Sequence, residues 1–266
     1  MKKQAKIELL KNGITAIQKR GHIGLMAHMI VGYPTLEDAV PLAQSLVEGG
    51  ADILEVQIPF SDPIADGPVI MEACDVALAN GVTTILAMNT IADITRSVQI
   101  PVLIMAYYNT IFSYGTKAFV QRAADIGVSG LIIPDIPPEE EPYEQFIALC
   151  EEAGIHAIRV VSPASTSQRL TKNAQLAKGF VYTSSRFGVT GAKTELDPRL
   201  NEYLARLKEV FTVPVAVGFG IRSREQVQAL QGHADIAVVG SAILEVVKEK
   251  GVQSVREFIA VLLKAK

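Results

Sequence analysis

The sequence predicts an α/β fold, a (β/α)8 barrel of the TIM type. Three observations predict it. Short apolar runs alternate with amphipathic helical stretches from end to end. The apolar runs are continuous, as in parallel strands buried on both faces. Eight such units fit within 266 residues, which is the arithmetic of a barrel. An open doubly wound sheet is the alternative, but eight units and no GxGxxG after the first strand argue against it.

The elements follow in order. In MKKQAKIELLKNGITAIQKRG, Ile7, Leu10, Ile14 and Ile17 share one helical face. This predicts an amphipathic helix outside the repeat, placed to plug the bottom of the barrel. Strands are expected at 23–31, 52–57, 101–106, 129–133, 155–161, 179–184, 213–218 and 235–239. Helical patterns separate them at 36–49, 68–80 with 83–98, 116–127, 138–153, 166–177, 197–210 and 223–230. Two more follow the last strand, a short one at 241–249 and another at 252–264. No linker, low-complexity tract or second domain is visible, so residues 1–266 are expected to form one barrel domain. The loops at the carboxyl ends of the strands are rich in functional residue types: GYPT, PFSDPIADGP, AYYNTIF, PDIPPEE, SRFGVTGAKTEL and GFGIRS. The opposite loops are short and plain. A barrel enzyme carries its site on the carboxyl-end face.

Composition narrows the function. The formal net charge is −3 and no basic cluster occurs, which argues against nucleic acid. The apolar runs are too short to span a membrane, and the N-terminus does not read as a secretory signal. Cys74 and Cys150 are isolated in helical patterns, as expected of buried thiols in a reducing cytoplasm. His22, His28, His156 and His233 show no metal-ligand spacing, so no metal is expected.

The most informative segment is ILEVQIPFSDPIADGP at 53–68. Its apolar strand carries one acid, Glu55, and breaks into a Pro-rich loop holding Ser61, Asp62 and Asp66. A buried strand rarely carries a lone acid, because ionising it there is costly. No Lys or Arg occurs between Arg20 and Arg96 to pair with it locally. Glu55 is therefore a candidate catalytic acid/base; a distant cationic partner is the bland alternative. Asp66 is a second candidate, though an Asp in ADGP also suits a turn or helix cap. Asp62 reads as a turn residue, and Asp135 in PDIPP is ambiguous. Strand 7 ends in GFGI (Gly218–Ile221) and strand 8 in GSAI (Gly240–Ile243), the latter opening a helix. Paired Gly turns and a helix start at these two loops predict a phosphate site built from backbone N–H groups. Gly191 is placed to close its third side. A single such Gly would read only as turn punctuation.

The 53–68 segment resembles the tryptophan synthase α subunit pattern LE-x-G-x-PFSDP-x-ADGP. So do PVLIMAYYN at 101–109, GLIIPDIPPEE at 130–140, GFVYTSSRFGVTG at 179–191, PVAVGFGIRS at 214–223 and VVGSAI at 238–243. The resemblance implies cleavage of indole-3-glycerol phosphate to indole and glyceraldehyde 3-phosphate. It also implies delivery of indole to a pyridoxal-phosphate β subunit, in a cytoplasmic α2β2 heterotetramer. No cofactor is expected in this chain. By resemblance Glu55 is the catalytic acid/base, Asp66 holds the indole N–H, and Tyr182 lines the glycerol side. Thr190, on a mobile loop at 186–196, pairs with Asp66 on closure. Phosphate lies against Gly191, Phe219, Gly220, Gly240 and Ser241, while Met105 and Tyr107 from the strand 3 segment contact substrate. The alternatives are a stand-alone lyase releasing free indole, and a catalytically weak subunit that activates a β partner.

The chemistry fits. A retro-aldol cleavage needs a proton on the ring carbon and loss of one from the glycerol hydroxyl. Apolar surroundings favour the neutral, proton-donating form of a carboxyl. Asp66, on a more polar loop, is expected to stay ionised beside the indole nitrogen.

Two polar residues stand out against the family pattern. Gln57 stands where the pattern has Gly, and His28 stands at an aromatic position of strand 1, with Tyr33 in place of an Asp. The YY pattern after strand 6 is partial: Tyr182 is followed by Thr183 and Ser184. Glu55 and Gln57 point the same way along the strand. Both departures are thus expected to bring polar groups into the indole pocket. They imply a hydrogen-bond network with Glu55, a shifted substrate preference, weakened catalysis, or simply satisfied core polars. The partners expected for Gln57 are Glu55, His28 or an ordered water.

Overall fold

The computed structural model describes residues 3–184, 198–218 and 220–264. The chain opens with α1 (Lys3–Arg20), β1 (Gly24–Ile30), α2 (Ala39–Gly49) and β2 (Ile53–Gln57). Next come α3 (Pro68–Ala79), α4 (Thr84–Ser97), β3 (Val102–Met105), α5 (Tyr108–Tyr114) and α6 (Thr116–Asp125). β4 (Gly130–Ile132), α7 (Glu141–Glu144), α8 (Phe146–Ala153), β5 (His156–Val161) and α9 (Ser167–Leu176) follow. The last part holds β6 (Val181–Ser184), α10 (Pro198–Val210), β7 (Val215–Gly218), α11 (Arg224–Ala229) and β8 (Ile236–Val239). After it come α12 (Ser241–Lys250), a 3-10 turn (Val252–Ser254) and α13 (Val255–Leu263). All strands pair in parallel and β8 returns to β1, giving a closed eight-stranded barrel.

Side-chain alternation divides the core into two layers. Met26, Ile53, Leu103, Ile132, Ile158, Ala216 and Ile236 fill the barrel interior. Their neighbours in sequence, such as Leu25, Leu54 and Leu131, pack outward under the helices. Burial on both faces explains why the strands read as continuous apolar runs. Helix starts are marked locally. The Thr83 side chain accepts from the Leu86 N–H at 3.2 Å, and Ser223 with Gln226 forms a capping box on α11.

The N-terminal helix does plug the barrel. Leu10, Ile14 and Ile17 belong to the interior cluster, together with Phe180 and Met26. Contact is close: a Cβ on Gly24 would lie 2.5 Å from Ile17 Cδ1. Leu10→Ala should therefore destabilise the protein by about 2–5 kcal/mol, the usual cost of a fully buried Leu. Chemical denaturation measures this, and a loss below about 1 kcal/mol would mean that the plug does not seal the core.

Three elements differ from the sequence expectations. Residues 108–114, expected as loop, form α5. The helix expected at 138–153 is interrupted at Gln145, whose φ of 52° is left-handed, leaving α7 and α8. The helix expected at 252–264 opens with the 3-10 turn. No single described helix is long and apolar enough to cross a membrane.

Candidate active site

The carboxyl-end face of the barrel holds a cavity of about 450 Å³. Of the residues expected to touch substrate or do chemistry, His28, Glu55, Asp66, Met105, Tyr182, Gly220, Gly240 and Ser241 all line it. Thr190, Gly191, Phe219 and the 186–196 loop lie outside the described residues.

Glu55 sits mid-strand on β2 and faces inward. It is 2% exposed. Parallel register sets His28 of β1 directly beside it. His28 Nδ1 lies 3.1 Å from Glu55 Oε2, an ion-pair distance. Oε2 still has no aligned hydrogen-bond partner among the described residues. A carboxyl on the wall of a cavity, beside a titratable imidazole, is placed to exchange a proton with something held there. The partner of this buried acid is thus a histidine on the adjacent strand. Burial, the largest single influence on His28, disfavours its charged form. The Glu55 charge and contact, then Asp66 and Gln57, outweigh burial and raise its pKa.

Asp66 lies in the loop between β2 and α3, half-buried. Gln57 Nε2 donates to its Oδ2 at 2.9 Å, and the Tyr107 hydroxyl donates to the same oxygen at 3.0 Å. The Ala65 N–H in turn donates to the Tyr107 oxygen at 3.0 Å, so the ring pins the loop at two points. The loop Asp expected to stay ionised is enclosed more than its polar sequence suggested. Burial pushes the Asp66 pKa up. The Gln57 bond, His28 and Tyr107 offset this in part, and the Glu55 charge adds to it.

Gln57 and Tyr107 also need correction as substrate-contacting residues. Both are inward-facing and almost wholly enclosed, at 0% and 1% exposure, and neither lines the cavity. They stand behind Asp66 at the strand ends, where the loop folds over the rim and covers them. Gln57 binds Asp66 rather than Glu55, and its Nε2 also lies 3.6 Å from the Cys74 sulfur on α3. The Cys74 thiol is pushed up to about 11 by burial.

The phosphate end is built as expected from two turns. Gly240 leads into the ten-residue helix α12 at Ser241, and a helix start presents unpaired N–H groups. Gly220 has φ +63° with open space around it, so its backbone is free to face a ligand. Arg222 is engaged elsewhere, its Nη2 donating to Glu245 Oε1 at 2.9 Å. No Lys or Arg lines the cavity among the described residues.

Several wall residues escaped the sequence reading. Ile70, Ile132, Pro134, Val160 and Val238 supply the apolar walls. Strand parity was the available signal, since Ile132, Val160 and Val238 are inward positions near strand ends. Gly218 was noted only as part of a turn. A Cβ there would lie 2.8 Å from the Tyr182 hydroxyl, so Gly218 makes room for Tyr182. Asp135, ambiguous in the sequence, plays a structural part. Both its oxygens accept from the Tyr108 N–H, at 2.9 and 3.0 Å, at the start of α5.

Comparison with known proteins adds independent findings. A family model described as tryptophan synthase alpha chain matches residues 14–265. The tryptophan synthase alpha chain of Desulfotalea psychrophila is 42% identical over 245 residues, covering 92% of this chain and 96% of the relative. That of Halalkalibacterium halodurans is 47% identical over 219 residues, 82% of each. A Mycobacterium tuberculosis tryptophan synthase structure superposes with TM-score 0.88 at 35% identity, covering 95% of this chain and 96% of that one. The Legionella pneumophila subunit alpha gives 0.86 at 29% identity, covering 95% and 96%. Agreement in sequence and in barrel architecture over almost the whole length leaves one conclusion: the chain belongs to the tryptophan synthase alpha chain family.

Proposed function

We propose that the protein cleaves indole-3-glycerol phosphate to indole and glyceraldehyde 3-phosphate, and that residues 1–266 act as one barrel domain in doing so. The observation that carries this reading is the buried Glu55 carboxylate, 3.1 Å from His28, in a cavity with apolar walls, a second carboxylate and glycine-lined turns at its far end. The apolar walls suit an indole ring. Glu55 protonates the ring carbon and takes the proton of the glycerol hydroxyl. Asp66 accepts the indole N–H and stabilises positive charge on it as the ring is protonated. Tyr182 borders the glycerol chain, with Met105 and His28 on the walls. Phosphate sits against Gly220, Gly240 and Ser241, joined by Gly191 and Phe219, with Thr190 closing on Asp66.

The indole passes to a β subunit in an α2β2 assembly in the cytoplasm. Pyridoxal phosphate belongs to that partner and this chain carries no cofactor. Exposed apolar side chains support a partner surface. Ile64, Phe112 and Tyr143 follow β2, β3 and β4 in turn, on the site's face, and are 62–81% exposed. The deciding experiment measures indole release from indole-3-glycerol phosphate by the purified chain, alone and with a β subunit. Release that rises with the β subunit supports the reading. Equal release would favour a stand-alone lyase, and no release with strong activation of the β reaction a regulatory subunit.

Phosphate recognition through the backbone gives a further expectation. Gly220→Val meets no neighbouring atom but must adopt a left-handed φ, at a cost of about 1–2 kcal/mol. The KM for the phosphorylated substrate should rise by roughly 5–30-fold. An unchanged KM would place the phosphate elsewhere.

A further inference from the structure

His28 and Gln57, the two departures from the family pattern, are both enclosed in the barrel at 4% and 0% exposure. Polar groups in place of an aromatic ring and a glycine cost stability unless they are satisfied. Part of the requirement is met by the His28 contact with Glu55 and the Gln57 bond to Asp66. Left over are two buried atoms, His28 Nε2 and Gln57 Oε1, which have no hydrogen-bond partner among the described residues. The Gln57 oxygen is an acceptor, and the His28 nitrogen is a donor when the ring is protonated.

A neutral imidazole carries one N–H, whereas the doubly protonated ring carries two. Nδ1–H then faces Glu55 Oε2 at 3.1 Å, and Nε2–H can turn to the Gln57 oxygen, which has no other donor among the described residues; both neighbours favour the charged ring. This orientation of the Gln57 amide is also the one its Nε2 bond to Asp66 requires. Register places His28 beside Glu55, with Gln57 two residues further along the same face. The departures therefore fit each other.

We propose that His28 and Gln57 act as one unit joining the two carboxylates, with His28 holding the proton that Glu55 gives to the indole ring and takes back from the glycerol hydroxyl. This rests on the lyase reading. A proton moves from His28 Nδ1 to Glu55, and from Glu55 to C3 of the indole ring. Asp66 stabilises the cationic ring. The Glu55 carboxylate then removes the hydroxyl proton and the C–C bond breaks, its electron pair returning to the ring. Indole and the aldehyde leave, and the proton returns to His28. No proton is gained or lost overall. His28 is a relay and positioning residue, and Gln57 fixes its orientation. The titratable groups acting on this ring are Glu55 from β2 and Asp66 from the loop after it, and Tyr182 from β6 lines the same cavity. The β8–α12 turn contributes only the Gly240 backbone, against which the ring packs.

The test compares His28→Phe, Gln57→Gly and the double variant, which restores the family pattern at both positions. kcat and KM are measured against pH, and the His28 ring is titrated by NMR in the full chain. His28→Phe should lower kcat by roughly 10²-fold with KM little changed. It should also abolish the alkaline limb, the loss of activity as pH rises through the raised His28 midpoint. Gln57→Gly should move that limb to lower pH, because a group favouring the charged ring is gone. The double variant should exceed His28→Phe in kcat, since no orphaned amide remains. Additive effects with an unchanged alkaline limb in His28→Phe would overturn the proposal. The NMR titration needs no substrate and separates the two readings. The wild-type ring should titrate above about 6.5, and Glu55→Gln should lower its midpoint. A ring that titrates at or below about 6.5 sinks the relay, whereas absence of indole release by the wild type sinks the lyase reading.

Discussion

Glu55→Gln should lower turnover of indole-3-glycerol phosphate by roughly 10²–10⁴-fold, the usual contribution of a positioned acid–base group. Gln preserves the size and reach of the side chain, and the polar neighbour of Glu55 across the register is His28 at 3.1 Å. The barrel should therefore fold normally and the cavity should keep its volume. What disappears is the capacity to give a proton to carbon, which an amide does not have. Affinity for glyceraldehyde 3-phosphate, measured calorimetrically, should be close to that of the wild type, because the phosphate turns lie on β7 and β8. Lost turnover with retained product affinity separates a chemical role from a packing one. A variant that keeps most of its turnover would remove Glu55 from the mechanism.

The barrel was legible in the sequence because parallel strands buried on both faces must be apolar at every position. Glu55 stood out against that background for the same reason. The plug helix was legible from the spacing of Leu10, Ile14 and Ile17 alone. Short elements were not. YNTIFSY is too brief for periodicity to emerge, and α5 depends on the Asp135 carboxylate from the next strand's loop holding the Tyr108 N–H. The break between α7 and α8 is anchored by Glu141, whose oxygens accept from the Ile147 and Ala148 N–H groups. No residue pattern announces such a contact. Within the site, strand parity correctly turned Gln57 inward beside Glu55. Its Nε2 donates to Asp66, nine residues on, because the PFSDPIADGP loop folds back over the barrel rim. Parity fixes the face a strand residue points to, whereas the path of a loop depends on what it meets in three dimensions. The same limit applies to Tyr107, whose ring stacks on Phe60 at 5.3 Å between centroids while its hydroxyl holds Asp66.

Asp66→Asn should reduce kcat by roughly 10²–10³-fold, comparable to removing one group that stabilises transition-state charge. The Asp66 Oδ2 atom accepts from Gln57 and Tyr107 at once, so this carboxylate is held in place before substrate arrives. A preorganised charge costs no reorganisation when the indole nitrogen becomes positive. Asn keeps one acceptor oxygen, so the loop can retain a bond to Gln57 or Tyr107, but it carries no charge for the cationic ring. The pH profile provides a second readout. Burial raises the Asp66 pKa, so activity should fall with decreasing pH through a midpoint above the ordinary value of an Asp. The Asn variant should lack that acid limb, since it has nothing to protonate there. KM should change less than kcat, because the charge matters most after protonation of the ring. An acid limb that persists unchanged in Asp66→Asn would transfer that titration to another group, and a kcat within about twofold of the wild type would make Asp66 a loop anchor rather than the partner of the indole nitrogen.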